Sequence, residues 1–564
     1  MIAHWLLLTI TAASATVARA HAVQDEYQVV EHLDAVPRGW VRESSALPPQ
    51  MMLFRIAPRL ERVGEFHRMV TDLSTPGRPT YGQSGRCNPL MAGVRGVPAS
   101  TIEDTGNWIK FTVPISHAER MMQTRFYNFQ HIDSGLNRIR TLGYSVPQSI
   151  APYVETIQPT TFFSQPRLLS NQADDRPTRG GPFAQWDCNR GIIPSCLRRL
   201  YNFVGYEPSP DVGNSIAVTG FLEQYVNIQD LQTFYSFFRP EAMNSSFQFI
   251  SINGGKNLQS PSKAGREAAL DTQYAFSLTH PIQATFYSTA GRPPFHPGPD
   301  TPTNTNEPYA DFLDYVLSHD NPPLVISTSY GEPEQTVPRA YAERVCTQFA
   351  QLGARGVSLL FASGDEGVGE TCLTNDGRNA TTFKPVFPAS CPFVTSVGAT
   401  HRIPEQAVEL SGGGFSDYFS RPAYQEEAVG SYVRGIPPGQ WSGLFNRNGR
   451  GIPDVAAQGV LYAIVMDGRL VPISGTSAST PTVAVVVALL NDARLRGGMS
   501  PLGFLNPLFY GKAKSGLNDI VGGSSKGCLH QDIIPPAGWN VTEGWDPVTG
   551  LGTPDFARLR DLVS

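Results

Sequence analysis

Charge is scarce in this 564-residue chain, with Asp, Glu, Lys and Arg making up 16% of it against roughly 25% in an average globular protein. The 44 basic and 49 acidic side chains leave a formal charge of −5, so no excess of one sign points to nucleic acid or an anionic membrane as partner. Few titrating surface groups suit a protein that must stay folded in acid. No internal repeat or low-complexity tract is present. Beyond the N-terminus no apolar run approaches the roughly 18 residues that span a bilayer, and the longest, Val483 to Leu490, reads as a buried helix. The seven cysteines (Cys87, Cys188, Cys196, Cys346, Cys372, Cys391, Cys528) lack CxxC or His-rich zinc spacing, which leaves disulfides as their use. Cys188 and Cys196 are close enough to close a short loop, and Cys87 is the odd one out.

Turns are plentiful: there are 53 glycines and 47 prolines. At about 150 residues per domain, the length implies roughly two to four units. An apolar run from Trp5 to Ala13 followed by Ala18-Arg19-Ala20 reads as a signal peptide over residues 1–20 and predicts a secreted or vesicular protein. Sequons at Asn244, Asn379 and Asn540 agree with that route. Val29 to Thr161 carries mixed signals: Met52 to Ile56 reads as a strand, and Ser116-His117-Ala118-Glu119 as a capping box before a helix from Arg120 to Tyr127. Asn171 to Pro182 is polar, rich in Pro and Gly, and reads as a linker open to cleavage.

Beyond the linker, short apolar runs alternate with helical periods. Ile216–Phe221, Phe247–Ile252, Leu324–Ser327, Val357–Ala362 and Phe393–Val397 read as buried strands. Ile228–Phe238, Arg266–Leu278, Ala340–Leu352 and Ala478–Leu490 read as helices. The alternation predicts an α/β fold, a mostly parallel sheet with helices on both faces. Met466-Asp467-Gly468-Arg469 adds a hairpin turn.

That hairpin leads into Ser474-Gly475-Thr476-Ser477-Ala478-Ser479-Thr480-Pro481, a small-residue turn opening the apolar helix. Ser477 then sits where unpaired backbone N–H groups and the positive dipole end favour a developing anion. Ser and Thr also cap helices, and Pro481 suits a first turn. A serine nucleophile needs a group to take its proton. Subtilisin-type enzymes usually carry that group in a His-Gly pair, and none of the 11 histidines here precedes glycine. A base for Ser477 is therefore sought among the carboxylates.

Gly265-Arg266-Glu267-Ala268-Ala269-Leu270-Asp271 places Glu267 and Asp271 four apart, on one helix face. On an exposed face they are two solvated acids. If buried, they share a proton in acid and one pKa rises. Such a pair can accept the Ser477 proton at a pH where imidazole is already charged. Asp365, in Ser363-Gly364-Asp365-Glu366-Gly367, follows a buried strand, and open α/β sheets build sites at the carboxyl ends of strands. It is a good turn residue, and when protonated it can donate to an oxyanion.

Together, Glu267 and Asp271 in GREAALD, Asp365 in FASGDEGVG and Ser477 in SGTSASTP resemble the sedolisins, or serine-carboxyl peptidases, in the branch of tripeptidyl-peptidase I and its fungal secreted relatives. Phe221-Leu222-Glu223-Gln224-Tyr225, the stretch from Ile193-Pro194 to Asn202, and Gly544 to Pro554 extend the likeness over nearly the whole chain after the signal. The resemblance implies a subtilisin-like catalytic domain over residues 187–564. Ser477 would be the nucleophile, Glu267 the general base and acid, Asp271 its supporting carboxyl and Asp365 part of the oxyanion hole. It also implies an α+β inhibitory prodomain over residues 21–170, cut from the enzyme within residues 171–186 in acid.

One calcium near the C-terminus is implied as well, on Asp519, Ile520, Thr542, Gly544 and Asp546, with Ile520, Thr542 and Gly544 offering carbonyls. Cys372 and Cys528 stand where relatives carry a disulfide. One departure is the prodomain segment after Tyr81-Gly82-Gln83, which enters Ser84-Gly85-Arg86-Cys87-Asn88-Pro89 with little helical pattern. The implied activity is release of tripeptides from free N-termini of peptides and proteins, outside the cell or in an acidic vesicle or vacuole. Endopeptidase action by the same chemistry and a silent binding protein on a protease fold are the alternatives. A lipase or esterase is disfavoured because Gly475-Thr476-Ser477-Ala478-Ser479 lacks the second glycine of a nucleophile elbow.

Overall fold

The computed structural model describes residues 26–37, 39–59, 63–78, 80–82, 102–105, 107–132, 135, 137–161, 163, 187–528, 534–535 and 537–564. The signal segment, Cys87, the Ser84–Pro89 stretch and the linker lie outside them. By its contacts the chain forms two units, the first from residues 1–64 and 87–165, the second from residues 65–86 and 166–564.

The first unit is built of short antiparallel strands: β1 (Tyr27–His32), β2 (Trp40–Ser45), β3 (Met51–Pro58), β4 (Ile102–Asp104), β5 (Ile109–Pro114), β6 (Tyr127–His131), β7 (Asn137–Arg140), β8 (Gly143–Pro147) and β9 (Val154–Gln158). They pair as β1-β8, β2-β6-β7 and β4-β5-β3-β9. Helix α1 (Val63–Ser74) follows β3, and most of it clusters with the second unit. The strand expected at Met52–Ile56 is the centre of β3. The helix expected at Arg120–Tyr127 is corrected: α2 spans Ile115–Met121, and Tyr127 begins β6. Pro114 takes the N-cap position and Ser116 caps nothing. Glu119 folds forward instead, accepting the Phe126 N–H at 2.9 Å and pairing with Arg125, which ends the helix.

In the second unit the alternation of strand and helix is realised. β10 (Ser215–Gly220), α3 (Ile228–Phe238), β11 (Gln248–Ile252), α4 (Arg266–Thr279), β12 (Gln283–Thr289), α5 (Tyr309–Ser318), β13 (Val325–Thr328), α6 (Arg339–Ala354), β14 (Ser358–Ala362), β15 (Thr395–His401), β16 (Gln406–Ala407) and β17 (Val455–Gln458) follow in order. The strands form one sheet in the order β11-β12-β10-β13-β14-β15-β16, with β17 beside β15. Every pairing is parallel except β15 with β16. The central strands are buried, and parallel pairing with mostly helical crossovers is the way to cover them; the buried strand expected at Phe247–Ile252 is corrected, since edge strand β11 exposes Gln248, Phe249 and Ser251.

The expected hairpin is β18 (Tyr462–Met466) and β19 (Arg469–Ile473). Asp467 and Gly468 both have positive φ, which the tight two-residue turn requires. Helix α7 (Thr476–Arg496) crosses β10, β13, β14, β15 and β17 and packs on α4. It is buried from Thr476 through Asp492, which explains why its sequence is apolar on all sides. Disulfides join Cys188 to Cys196, Cys346 to Cys391 and Cys372 to Cys528. Among the described residues no helix is long and apolar enough to cross a membrane.

Candidate active site

Parallel packing brings the carboxyl ends of β10, β13 and β14 to one edge of the sheet, where α7 begins. Thr476 is the first residue of α7 and Ser477 the second, 7% exposed. Gly475 precedes them with φ 152°, and a Cβ there would stand 2.7 Å from Asp365 Oδ2, so only glycine lets Asp365 approach. Asp365, beyond the end of β14, accepts the Thr476 N–H at 2.7 Å and the Thr476 hydroxyl at 2.8 Å, both on Oδ1. Burial raises its pKa, and the two Thr476 bonds pull it back down. Oδ2 is the oxygen left to carry a proton.

Pro481 falls in the second turn of α7, not the first. Lacking an N–H, it leaves the Ser477 carbonyl without a helical partner. Ser329, just past β13, fills that gap. Its Oγ lies 3.2 Å from the Ser477 carbonyl and 2.7 Å from Asp271 Oδ1, while its own carbonyl is 3.4 Å from Ser477 Oγ. A hydroxyl has one proton to give. The shorter contact makes Asp271 Oδ1 the main acceptor of the Ser329 proton, with the Ser477 carbonyl the more distant one. Burial first, and the Glu267 charge second, hold the Asp271 pKa well above the ordinary carboxylate range, and the hydrogen bond from Ser329 pulls it partly back.

Glu267 and Asp271 lie in the first two turns of α4, both buried, as an i, i+4 pair against α7. Gly265, at the N-cap, donates its N–H to the Tyr225 carbonyl at 2.9 Å, and the Glu267 N–H donates to Gln224 Oε1 at 3.2 Å. Tyr330 donates to the Phe221 carbonyl at 3.4 Å, and its raised pKa reflects burial and then the charges of Glu267 and Asp271. All four acidic and nucleophilic residues singled out from the sequence therefore share one neighbourhood. Ser329, Thr476, Gln224 and Tyr330 were not singled out. For Ser329 a signal existed, since it stands two residues past an expected strand end.

The residues expected to hold a cation come from two segments, 519–520 and 542–546, that are hydrogen-bonded to each other. Gly544 donates its N–H to Asp519 Oδ2 at 2.7 Å, and Thr542 donates its N–H to Asp546 Oδ2 at 3.3 Å. Ile520 is buried beside Asp519. Among the described residues no three His, Cys, Asp or Glu side chains cluster as metal ligands. Asp546 is fully buried, and its hydrogen bonds come from Thr542, Val548 and Thr549 with no cationic side chain among them. Among the described residues no ion pair engages Asp519 or Asp546, and two carboxylates beside backbone carbonyls suit a hard cation.

Comparison with known proteins gives this geometry a family. Residues 94–163 match the Pro-kumamolisin activation domain, and residues 298–502 match the subtilase family. The chain is 46% identical to a probable tripeptidyl-peptidase SED3 of Arthroderma benhamiae, over 95% of each chain. The chain belongs to the sedolisin family. It is 44% identical to tripeptidyl-peptidase SED2 of Arthroderma otae, over 99% of this sedolisin and 98% of that protein. The solved structure of Pseudomonas sedolisin, a serine-carboxyl proteinase, aligns with 66% of this sedolisin and 97% of its own chain, at 21% identity and a TM-score of 0.49. The activation-domain and subtilase matches, with the relatives matched over nearly the full length, make this sedolisin a serine peptidase with a subtilisin-like fold preceded by an activation domain.

Proposed function

We propose that this sedolisin is a secreted, acid-active tripeptidyl-peptidase that releases tripeptides from free N-termini of peptides and proteins. The observation that carries the chemistry is Ser329, whose one hydroxyl lies between Asp271 and the Ser477 carbonyl and so ties the carboxyl pair to the nucleophile. The tripeptidyl specificity is supported by the names of relatives that match over nearly the full length.

In the proposed reaction, Ser477 Oγ attacks the scissile carbonyl carbon and its proton passes to Glu267. Asp271 shares charge and proton with Glu267, so the pair takes up the proton without creating two adjacent charges. The new oxyanion accepts a hydrogen bond from Asp365, protonated on Oδ2. Glu267 then gives its proton to the leaving amine, forming an acyl-enzyme on Ser477. Water attacks that ester, Glu267 removes the water proton, and Ser477 recovers its own as the tripeptide departs. Asp365 works only when protonated, so activity is lost as pH rises through its elevated pKa.

Residues 1–20 act as the signal peptide, 21–170 as the inhibitory prodomain, and 171–186 as the activation site, with 187–564 forming the enzyme. The activation-domain match over residues 94–163 supports this division. Asp519, Asp546 and the carbonyls of Ile520, Thr542 and Gly544 would hold calcium, which would supply positive charge tying these two loops together. A chelator lowers the thermal midpoint of the intact enzyme, and an unmoved midpoint excludes this site.

The test is to acidify the purified proenzyme and assay a tripeptide reporter with a free amine beside a longer N-blocked peptide. Cleavage of the free-amine reporter is expected. Cleavage of the blocked peptide alone replaces this reading with an endopeptidase. Ser477→Ala and Glu267→Gln should each lose at least about a thousandfold in kcat while remaining folded. Activity surviving either change removes that residue from its role.

A further inference from the structure

Phe221-Leu222-Glu223-Gln224-Tyr225 follows β10 and stores backbone strain. Leu222 and Glu223 have consecutive left-handed φ values, 53° and 59°, with no glycine between β10 and Gln224 to relieve them. Such conformations cost about 1–3 kcal/mol each and persist where surrounding structure over-determines them, often at functional sites. Here the surroundings are Gln224 and Tyr225, bonded to the start of α4, and the Phe221 ring, edge-on to Tyr309 and Tyr330.

The strained turn sets the position of Glu223. Its side chain is 52% exposed, and its two oxygens face two nitrogens of Arg292 at 2.7 Å and 3.3 Å. Arg292 lies beneath, its side chain 8% exposed, and also donates to the Gly291 carbonyl at 2.8 Å. An ordinary surface ion pair contributes little and requires no strain. This one is asymmetric: the cation is buried and the carboxylate is turned outward. A carboxylate offers about four lone-pair sites, of which Arg292 engages two.

The pair stands on the sheet edge that carries the nucleophile. β12, β10, β13 and β14 are neighbours in that order, and beyond their carboxyl ends come Arg292, Glu223, Ser329 and Asp365. Neighbouring strands lie about 4.8 Å apart, so the end of β12 is about 10 Å from the end of β13. An extended peptide advances about 3.3 Å per residue, so three residues cover the same distance. With the scissile carbonyl at Ser477, a peptide laid across the strand ends towards β12 carries its N-terminal side past the end of β10, where the outward-turned Glu223 carboxylate stands.

We infer that Glu223, backed by Arg292, receives the free α-ammonium of the substrate's first residue. The inference rests on the tripeptidyl reading above. An amine that is blocked loses its charge and gains bulk at this point, and a longer N-terminal extension runs into the turn.

Steady-state kinetics of the processed enzyme in acid test this with two reporters of one sequence, a tripeptide with a free amine and its desamino form. In wild type, kcat/KM for the free amine should exceed that of the desamino form by about a hundredfold or more. In Glu223→Gln the KM for the free amine should rise about tenfold with kcat within about threefold, so that discrimination falls by about ten. Glu223→Gln that keeps the wild-type discrimination, or that loses kcat with KM intact, overturns the assignment. If Glu223→Gln does not fold, Glu223→Asp decides: it retains the charge one methylene shorter. It should raise KM for the free amine about two- to fivefold and leave the desamino form unmoved, and equal shifts for both reporters overturn the inference. A wild-type enzyme that does not discriminate sinks the tripeptidyl reading itself, so the two failures are distinguishable.

Discussion

Ser329 depends on its neighbours for everything it does: Pro481 removes a backbone donor, Ser477 is left with a free carbonyl, and a hydroxyl from β13 supplies the bond while holding Asp271. Removing that hydroxyl leaves a buried carboxyl with one donor fewer, which costs about 1–3 kcal/mol. The Ser329 bond also lowers the Asp271 pKa, so its loss raises that pKa further. Ser329→Ala should therefore lower the thermal midpoint, cut kcat about tenfold or more with little change in KM, and displace the pH–rate profile. A variant with the wild-type pH profile would reduce Ser329 to packing. Glu267, Asp271, Asp365 and Ser477 were legible because each combines a reactive group with a recognisable local setting: a helix face, a strand end, a helix start. Ser329 shares the strand-end setting, but what it does is decided by partners 58 and 148 residues away in sequence.

Among the elements, the strands and long helices of the second unit were placed because period and composition agree there, but β11, expected to be buried, is an exposed edge strand, since an apolar run does not say which strand ends the sheet. The helix at residues 120–127 was misplaced because Ser116 and Glu119 form a capping pattern that tertiary contacts overrule. Glu119 serves Phe126 and Arg125 instead of the Ser116 backbone. Helix α1 raises a different matter. His67 on it packs 4.3 Å from the Phe393 ring, with Nε2 3.3 Å from the Thr347 hydroxyl. The charged residues beside Thr347 on α6 are Glu343, paired with Arg339, and the buried Arg344. On α1 itself they are Glu65, Arg68 and Asp72.

Burial lowers the His67 pKa to about 4 from an ordinary 6.5. A base held low contributes stability that is present above pH 6.5 and lost as pH falls through about 4. Helix α1 should therefore show lower amide protection, relative to the intrinsic exchange rate at each pH, at pH 4 than at pH 6.5, and His67→Phe should abolish the difference. Equal protection at the two pH values would exclude His67 as the cause.

For the molecule as a whole the sign is opposite. Burial raises Glu332 and Glu334 to about 7 and Asp417 to about 6. A carboxyl held above its ordinary value contributes stability that is complete below that value and lost as pH rises through the folded one. These groups therefore add stability at pH 4 that disappears between about pH 4.5 and 7, on the order of 1–3 kcal/mol each. The processed enzyme should melt higher at pH 4.5 than at pH 7.5, checked by calorimetry across that range. A midpoint rising steadily from acid to neutral would contradict this. Acid thus favours the body of the second unit while weakening the hold on α1.

The sequence by itself determined which chemistry was possible: a serine at a helix start, two carboxyls four residues apart, an acid at a strand end, and no histidine suited to serve as base. Those are local facts, set by backbone periodicity and residue type. Only the tertiary structure decided what protonation state the carboxyls favour and which other residues hold them, because desolvation exists only once distant segments close over a group. The pairing of Glu223 with Arg292, 69 residues apart, is of the same kind. The parallel sheet sets those two beside the nucleophile's end of the chain, at a spacing that no linear pattern encodes.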